Sequence, residues 1–437
     1  MNNVDVLNLE WSSTPNRDRI VSTLVSNYLR HQGYTVHEGC VFNGFELIRK
    51  LKPKLFFING AIGAKINFEL VKFAKSRGIH VVSLSAEGNF TEDKNVGIGP
   101  FFWGWNHTKK LVEDFNLVWS ERVKRMILSE FPELKNRVRV SGGVGFDVYQ
   151  ITSKIAKDEF LAKYGKTDYK TVLGVGCWDF GTMYPEDYRH PEIVKRFSRD
   201  EIERFKKDRG LFNKIILQAV KNNPDVLFIF KEHPGRQLEY KSSAIEGIEN
   251  YQNVLAFKRE ESVDKCINAS DLWLIYESTT AMEAWLYGKN TFKLNPTGID
   301  FKRNELHQGT PLLETYKELQ NVLDNLKAGK YKEFKYSDIQ KELVERIIQW
   351  TDGLNHVRAG NEMIKLISCP KAPKSKIYLA WILHSFKNQI MKSKATLPRF
   401  DSSELKDYAK SQMELQLAYY KTKQLSKKDL ITLNGIL

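Results

Sequence analysis

The sequence predicts an α/β protein of two doubly wound, Rossmann-like domains facing a cleft, with a basic helical tail behind them. Three observations carry that expectation. Short apolar runs alternate with longer helical patterns over residues 1–150; the alternation breaks at a polar, Lys-rich stretch; and it restarts at Thr171. Strands separated by helices of this length pair in parallel, and the crossover helices cover both faces of the sheet.

In the first domain, residues 1–150, Val4–Leu9 reads as a strand, Arg17–Gln32 as an amphipathic helix and Tyr34–His37 as a strand. A short helix near Phe45–Leu51 precedes the strand Leu55–Asn59, and the helix Ile66–Ser76 precedes the strand His80–Leu84. Leu117–Trp119 and Val138–Val140 read as further strands around a helix at Glu121–Phe131. Ile151–Lys170 carries no strand signal and reads as the connection between domains.

The second domain, residues 165–335, opens with the strand Thr171–Gly176 and the long helix Glu201–Lys221, which Asn222-Asn223-Pro224 stops. Strands follow at Val226–Phe230, Val254–Phe257, Leu272–Tyr276 and Thr291–Leu294, with helices at Ser262–Ala269 and Thr280–Tyr287. Residues 336–368 supply one or two helices expected to pack back across the domains. Residues 371–437 hold thirteen Lys or Arg against five Asp or Glu, with an apolar knot at Ile377–Leu383. Such a basic amphipathic tail either lies on an anionic membrane surface or packs on the body of the protein as a solvated helical hairpin.

The chain's 437 residues exceed one ordinary core, and 42% hydrophobic with 12% aromatic residues fits a packed globular protein. Cys40, Cys177, Cys266 and Cys369 show no short spacing, so neither a disulfide framework nor a zinc site is indicated. The first residues lack a signal-peptide pattern and no apolar run reaches the roughly 18 residues that span a bilayer, so a cytoplasmic protein is expected, at most peripheral on the inner face of the membrane. The formal charge of +14 asks for an anionic partner. No nucleic-acid-binding pattern accompanies it, which leaves a membrane surface or acidic sugar nucleotides and polymers.

Two short segments carry the chemistry. Lys231-Glu232-His233-Pro234-Gly235 and Glu277-Ser278-Thr279-Thr280 each follow a run read as a buried strand. Ligands of open parallel sheets bind beyond the carboxyl ends of the strands. Pro234 turns the chain sharply, leaving His233 at the tip to donate to a phosphate oxygen, with Lys231 and Arg236 adding positive potential. The bland alternative is a strand terminator with a structural histidine. Ser278–Thr280 opens a helix, where hydroxyls and free amides favour an anion. The alternative there is a capping box, with Thr280 as N-cap and Glu283 three residues on. Glu283 suits either that box or the ribose hydroxyls of a nucleotide.

In the first domain, Glu87-Gly88-Asn89 follows the strand His80–Leu84 and puts a carboxylate where backbone approaches a ligand closely. Glu87 is the candidate base for an acceptor hydroxyl, with Glu10, Glu92 and Asp93 as rivals. Gly142-Gly143-Val144-Gly145 is expected to border the cleft, and Trp103, within an aromatic run, offers a stacking surface for an acceptor sugar or belongs to the core. Asp179 and His190 have no assigned role.

Together these residues resemble bacterial surface-carbohydrate and capsule glycosyltransferases of the GT-B type, including sialyltransferase-like and Kdo-transferase-like enzymes that use CMP-activated acidic sugars. His233-Pro234, Ser278-Thr279 and Glu87-Gly88 stand in the order of that group's HP, serine/threonine and acidic-Gly motifs. Val140–Asp147 looks like its TGxPRFD-type segment without the Pro-Arg, and one acid rather than two precedes Gly88. The resemblance implies an inverting, metal-independent transfer of a sugar, an acidic one from a CMP donor, onto capsule, O-antigen or lipooligosaccharide. It implies no cofactor beyond the nucleotide-sugar donor, and a glycan or glycolipid acceptor. The His-Pro loop also suits transfer of glycerol phosphate from CDP-glycerol, and the architecture suits sugar-nucleotide epimerases. A non-enzymatic alternative is an accessory subunit that binds a polyanionic glycan through the tail.

Overall fold

The computed structural model describes residues 4–13, 16–61, 64–85, 111–152, 157–177, 189, 191, 198–232, 243–258, 260–276, 278–297, 305–370, 380–394 and 400–433. The chain divides into two compact units, Met1–Thr152 with Val344–Leu437, and Ser153–Leu343.

The first unit holds β1 (Val6–Glu10), β2 (Val36–Cys40), β3 (Leu55–Asn59), β4 (His80–Leu84), β5 (Phe115–Val118) and β6 (Val138–Val140). They form one parallel sheet in the order β2-β1-β3-β4-β5-β6. Every residue of β1, β3 and β4 is buried, as sheets covered on both faces require. Leu7, Leu9, Phe56 and Ile58 pack against Phe45, Leu70 and Phe73 from the helices Gly44–Leu51 and Lys65–Ser76. β2 begins two residues later than expected: Gly33, at φ +100°, turns the chain out of the helix Arg17–His31. Gly39 hides the strand in the sequence, yet is required there. A Cβ on it would stand 2.6 Å from Leu47 Cδ1.

The C-terminal helices complete this unit. Asn355–Ile367 lies on Arg17–His31, with Gly360 under the ring of Tyr28 and the Tyr28 hydroxyl donating to Asn361 Oδ1 at 2.5 Å. Ser402–Thr422 packs on the same helix through Leu405, Ala409, Tyr419 and Tyr420, all buried. Asn27 Nδ2 donates to Ala409 O at 2.8 Å and Gln416 Nε2 to Leu24 O at 2.9 Å. Residues 402–433 are thus part of the body of this unit rather than a separate basic tail. Their charge obscured a buried seam of Leu405, Ala409, Gln416 and Tyr420, spaced as one face of a helix is, with Gln416 its polar member.

The second unit holds β7 (Thr171–Gly176), β8 (Val226–Lys231), β9 (Val254–Phe257), β10 (Leu272–Ile275), β11 (Asn290–Leu294) and β12 (Leu312–Leu313). They form a second parallel sheet in the order β12-β11-β10-β7-β8-β9. The helix Arg199–Asn222 starts at a capping box of Ser198 and Glu201 and packs Phe212, Ile216, Ala219 and Val220 into the core. The stop at Asn223 is a built cap: its Nδ2 donates to Ala219 O at 2.9 Å and Gln320 Oε1 at 2.9 Å. The connection read as featureless contains a helix, Lys157–Lys163, fixed to this unit by Lys157 Nζ donating to Asp271 Oδ2 at 2.6 Å.

Both sheets are doubly wound, and each has one place where successive crossovers leave in opposite directions. In the first unit this switch point falls between β1 and β3, in the second between β7 and β10. The two-sheet architecture is the one the alternation of strands and helices predicted.

Candidate functional site

The candidate site is the carboxyl edge of the second sheet at its switch point. Gly176, Lys231 and Ile275 stand in one row across β7, β8 and β10. The segments beginning at Glu232 and at Ser278 therefore leave from strands two apart, with β7 between them. Two strand spacings separate the tips by about 10 Å.

Ser278, Thr279 and Thr280 are half-buried beyond β10, and the helix Thr280–Leu286 follows. Trp273 Nε1–H donates to Thr280 Oγ1 at 3.0 Å, and Thr280 Oγ1–H donates to Ser278 Oγ at 2.9 Å. The Thr280 amide also donates to Ser278 Oγ, at 3.2 Å. Ser278 Oγ thus accepts two hydrogen bonds, and its own proton remains to donate. The Thr279 hydroxyl makes no hydrogen bond among the described residues. This relay depends on the glycines of β7: a Cβ on Gly174 would lie 2.2 Å from Trp273 Cε3, and one on Gly176 would lie 2.7 Å from Thr280 Oγ1.

The expected capping box is absent at this turn. Thr279, not Thr280, is the N-cap residue, and its side chain caps nothing. The amides of the first turn are already engaged, Ala281 N with Ser278 O at 3.3 Å and Met282 N with Thr279 O at 3.1 Å. Hydroxyls, rather than free amides, are what this turn offers an anion. Glu283 sits half-buried in the first turn.

Lys231 is aimed elsewhere. Its Nζ donates to Glu232 O at 3.2 Å and Lys258 O at 2.5 Å, beyond β9 on the side of β8 away from β7. Burial pulls its ammonium below the usual lysine range. His233, Pro234 and Gly235 lie outside the described residues, but both ends of their loop are held. Glu232 N donates to Phe257 O at 2.9 Å, and the buried Glu232 carboxylate accepts from Ala244 N at 3.2 Å. Arg209 Nη2 donates to Ala244 O at 3.2 Å. Burial pushes the Cys177 and Cys266 thiols far up, so neither is a ready nucleophile.

At the switch point of the first sheet stands Glu10, the last residue of β1. Its buried Oε1 accepts from Ser22 Oγ at 2.6 Å and from Asn59 Nδ2 at 3.0 Å, Asn59 being the last residue of β3. Burial, with Asp18 adding to it, raises its carboxyl to about 7. Gly143 has a packing role: a Cβ there would stand 2.8 Å from Ile348 Cγ2, and Gly143 N donates to Ile348 O at 3.2 Å. Gly142, at φ +85°, passes so close to Asn355 that no side chain fits. Glu87, Gly88, Asn89, Trp103, Glu92, Asp93, Asp179 and His190 lie outside the described residues. A 380 Å³ hollow lined by His31, Tyr420, Lys421 and Lys427 lies near the C-terminal end of the helix Arg17–His31, which marks the amino edge of the first sheet. Sequence reasoning missed Gly176, Trp273 and Glu232. The two glycines spaced two apart in one strand were the available signal, since they leave one face open to a neighbour.

No family model matches the chain, and no curated protein sequence does. Solved structures do match. MnaA of S. aureus, solved with UDP, shares 14% identity over 85% of this chain and 100% of its own, with a TM-score of 0.53. A UDP-N-acetylglucosamine 2-epimerase shares 13% over 86% of this chain and 99% of its own, at 0.53. A variant of the wall teichoic acid polymerase TagF shares 12% over 84% of this chain and 89% of its own, at 0.52. At these identities the likeness shows the fold: two doubly wound units of the GT-B-like kind.

Proposed function

We propose that the chain is a glycosyltransferase that moves a sugar from a nucleotide-activated donor to a hydroxyl of a bacterial surface glycan. The observation that carries the reading is the Ser278 hydroxyl, fixed by Thr280 and Trp273 at the switch point of the second sheet with a proton to donate. A departing phosphate needs such a preorganised donor.

In this reaction the acceptor oxygen bonds to the anomeric carbon while its proton passes to Glu87. The bond from that carbon to the phosphate oxygen breaks, and its electron pair stays on the phosphate. Ser278 and His233 donate to that oxygen, Thr279 adds a second hydroxyl, and Glu283 accepts from the ribose. Attack opposite the leaving group inverts the centre, and no metal is required because protein donors neutralise the charge. The proposed donor is a CMP-linked acidic sugar.

A second reading, sugar-nucleotide epimerisation, is favoured by the likeness to a UDP-N-acetylglucosamine 2-epimerase, 99% of whose length is covered. The test has two steps. A thermal-shift panel of CMP, CDP, UDP and GDP comes first, because a ligand at 100 times its Kd stabilises the folded form by about 2.7 kcal/mol. Turnover of the stabilising donor class with and without glycan acceptor comes second. Acceptor-dependent release of the nucleotide supports transfer; release or interconversion independent of acceptor supports epimerisation; no shift with any nucleotide overturns both. Glu87→Gln and Glu10→Gln, compared in the same assay, decide which carboxylate takes the proton.

A further inference from the structure

Among the described residues, the helix Trp381–Lys394 is held by the first unit through the side that carries Trp381 and His384. The Trp381 ring lies 5.6 Å from that of Phe73, the His384 ring stacks on Phe45 at 6.4 Å, and His384 Nε2 is 3.4 Å from Glu69 Oε2. On the other side Ile382, Leu383, Phe386 and Ile390 are 59%, 64%, 68% and 40% exposed. At about 100° per residue these four fill one arc of about 100°, opposite the anchored side chains. Contiguous apolar faces of this kind mark interaction sites.

Charge identifies the occupant. Between Lys371 and Phe400 the sequence has seven Lys or Arg and no Asp or Glu, and Lys387, on this helix, is exposed. A second copy would bring the same excess of positive charge and a second Lys387 to the contact, so self-association is opposed. The helix has fourteen residues, about 21 Å, short of a bilayer's roughly 30 Å core. No helix among the described residues is long and apolar enough to cross a membrane.

We propose that this helix docks the protein on an anionic lipid bilayer, lying in the plane of the interface with Ile382, Leu383, Phe386 and Ile390 below the headgroups. The exposed Lys387 and the net positive charge of residues 371–400 favour anionic lipid phosphates. The anchored side keeps the helix formed before contact, so docking needs no folding step.

Co-sedimentation of the full chain with vesicles tests this. Phosphatidylcholine vesicles with about a third phosphatidylglycerol are expected to hold the protein at least tenfold better than phosphatidylcholine alone, less so at high salt. The triple variant Ile382→Ser, Leu383→Ser, Phe386→Ser is expected to bind at least tenfold more weakly with an unchanged thermal transition, because these side chains are exposed. Lys387→Glu is expected to weaken binding a few-fold. Equal sedimentation with and without vesicles, or a triple variant that binds like the parent, overturns the proposal. So does a dimer that the triple variant dissolves while neither form binds lipid.

Discussion

The indole Nε1 of Trp273 lies 3.0 Å from the Oγ1 of Thr280. That contact decides how the hydroxyls of the turn are oriented. Thr280 Oγ1 accepts from the indole N–H and donates to Ser278 Oγ, which also accepts from the Thr280 amide, so the Ser278 proton is left to point outward. A buried aromatic thus orients a polar group two residues removed from the one it touches.

Ser278→Ala removes that outward donor without touching the core. Turnover is expected to fall about a hundredfold, in line with about 3 kcal/mol for one lost transition-state donor, with little change in melting temperature. Steady-state kinetics beside a thermal melt check this, and near-normal kcat overturns the role of Ser278.

Gly176→Ala inserts a methyl group 2.7 Å from Thr280 Oγ1, too close for the present contact to survive. Thr280 must shift, and the relay from Trp273 with it. Donor affinity measured by calorimetry is expected to weaken at least tenfold, while stability falls by about 1–3 kcal/mol, as overpacking typically costs. Unaltered affinity separates the relay from binding.

Glu10 gives a pH dependence with a definite sign. Its folded carboxyl titrates near 7 against 4.5 for an unhindered one, so between those values the folded state keeps a proton that the unfolded state has released. Stability from this group is present below 4.5, falls as the pH rises through that window, and is gone above 7. Glu10→Gln keeps the shape without the charge. It should match the parent near pH 4.5 and exceed it by about 3 kcal/mol at pH 8, read from urea unfolding at several pH values. A gap independent of pH would contradict the raised titration.

In the first unit, Asp147 Oδ2 accepts from His356 N at 2.7 Å and from His356 Nδ1 at 2.8 Å, and His356 Nε2 meets the Tyr420 hydroxyl at 2.5 Å. With Nδ1 donating to the carboxylate, neutral Nε2 accepts from Tyr420, which joins the last long helix to the sheet side of the unit. Tyr420→Phe leaves Nε2 buried and unpaired and is expected to cost about 1–3 kcal/mol. His356→Ala opens a cavity and removes one of the donors to Asp147, whose carboxylate keeps Asn355 Nδ2 and the amide of residue 356, so it should cost more, about 3–5 kcal/mol. Equilibrium urea titrations rank the two, and the reverse order would refute the chain of bonds.

Periodicity made the two sheets legible, because buried parallel strands such as Leu55–Asn59 read as unbroken apolar runs between amphipathic helices. The misplacements have physical causes. Gly39 looks like a strand breaker until Leu47 is seen against it. Thr280 looks like an N-cap until Trp273 is seen to hold it inside the first turn. Gly142 and Gly143 are expected to border a cleft; what they pass at close range, Asn355 and Ile348, stands about two hundred residues on in the sequence, beyond the reach of any local pattern. Lys231 carried the right charge at the right strand tip, but its side chain follows β9. Strand order, which places β7 between the strands that end at Lys231 and Ile275, is a long-range property that no local pattern encodes.

The first unit is assembled from the two ends of the chain, with residues 153–343 spliced between them. During synthesis its six strands, complete at Val140, leave the ribosome well before Tyr419 and Tyr420, whose partner surface stays bare until they emerge. At about 5–20 residues per second that exposure lasts tens of seconds, long enough for the inserted unit to finish folding first. Nascent chains of this protein should therefore engage a chaperone through the strands of the first unit, and release it only once residues 402–422 have emerged.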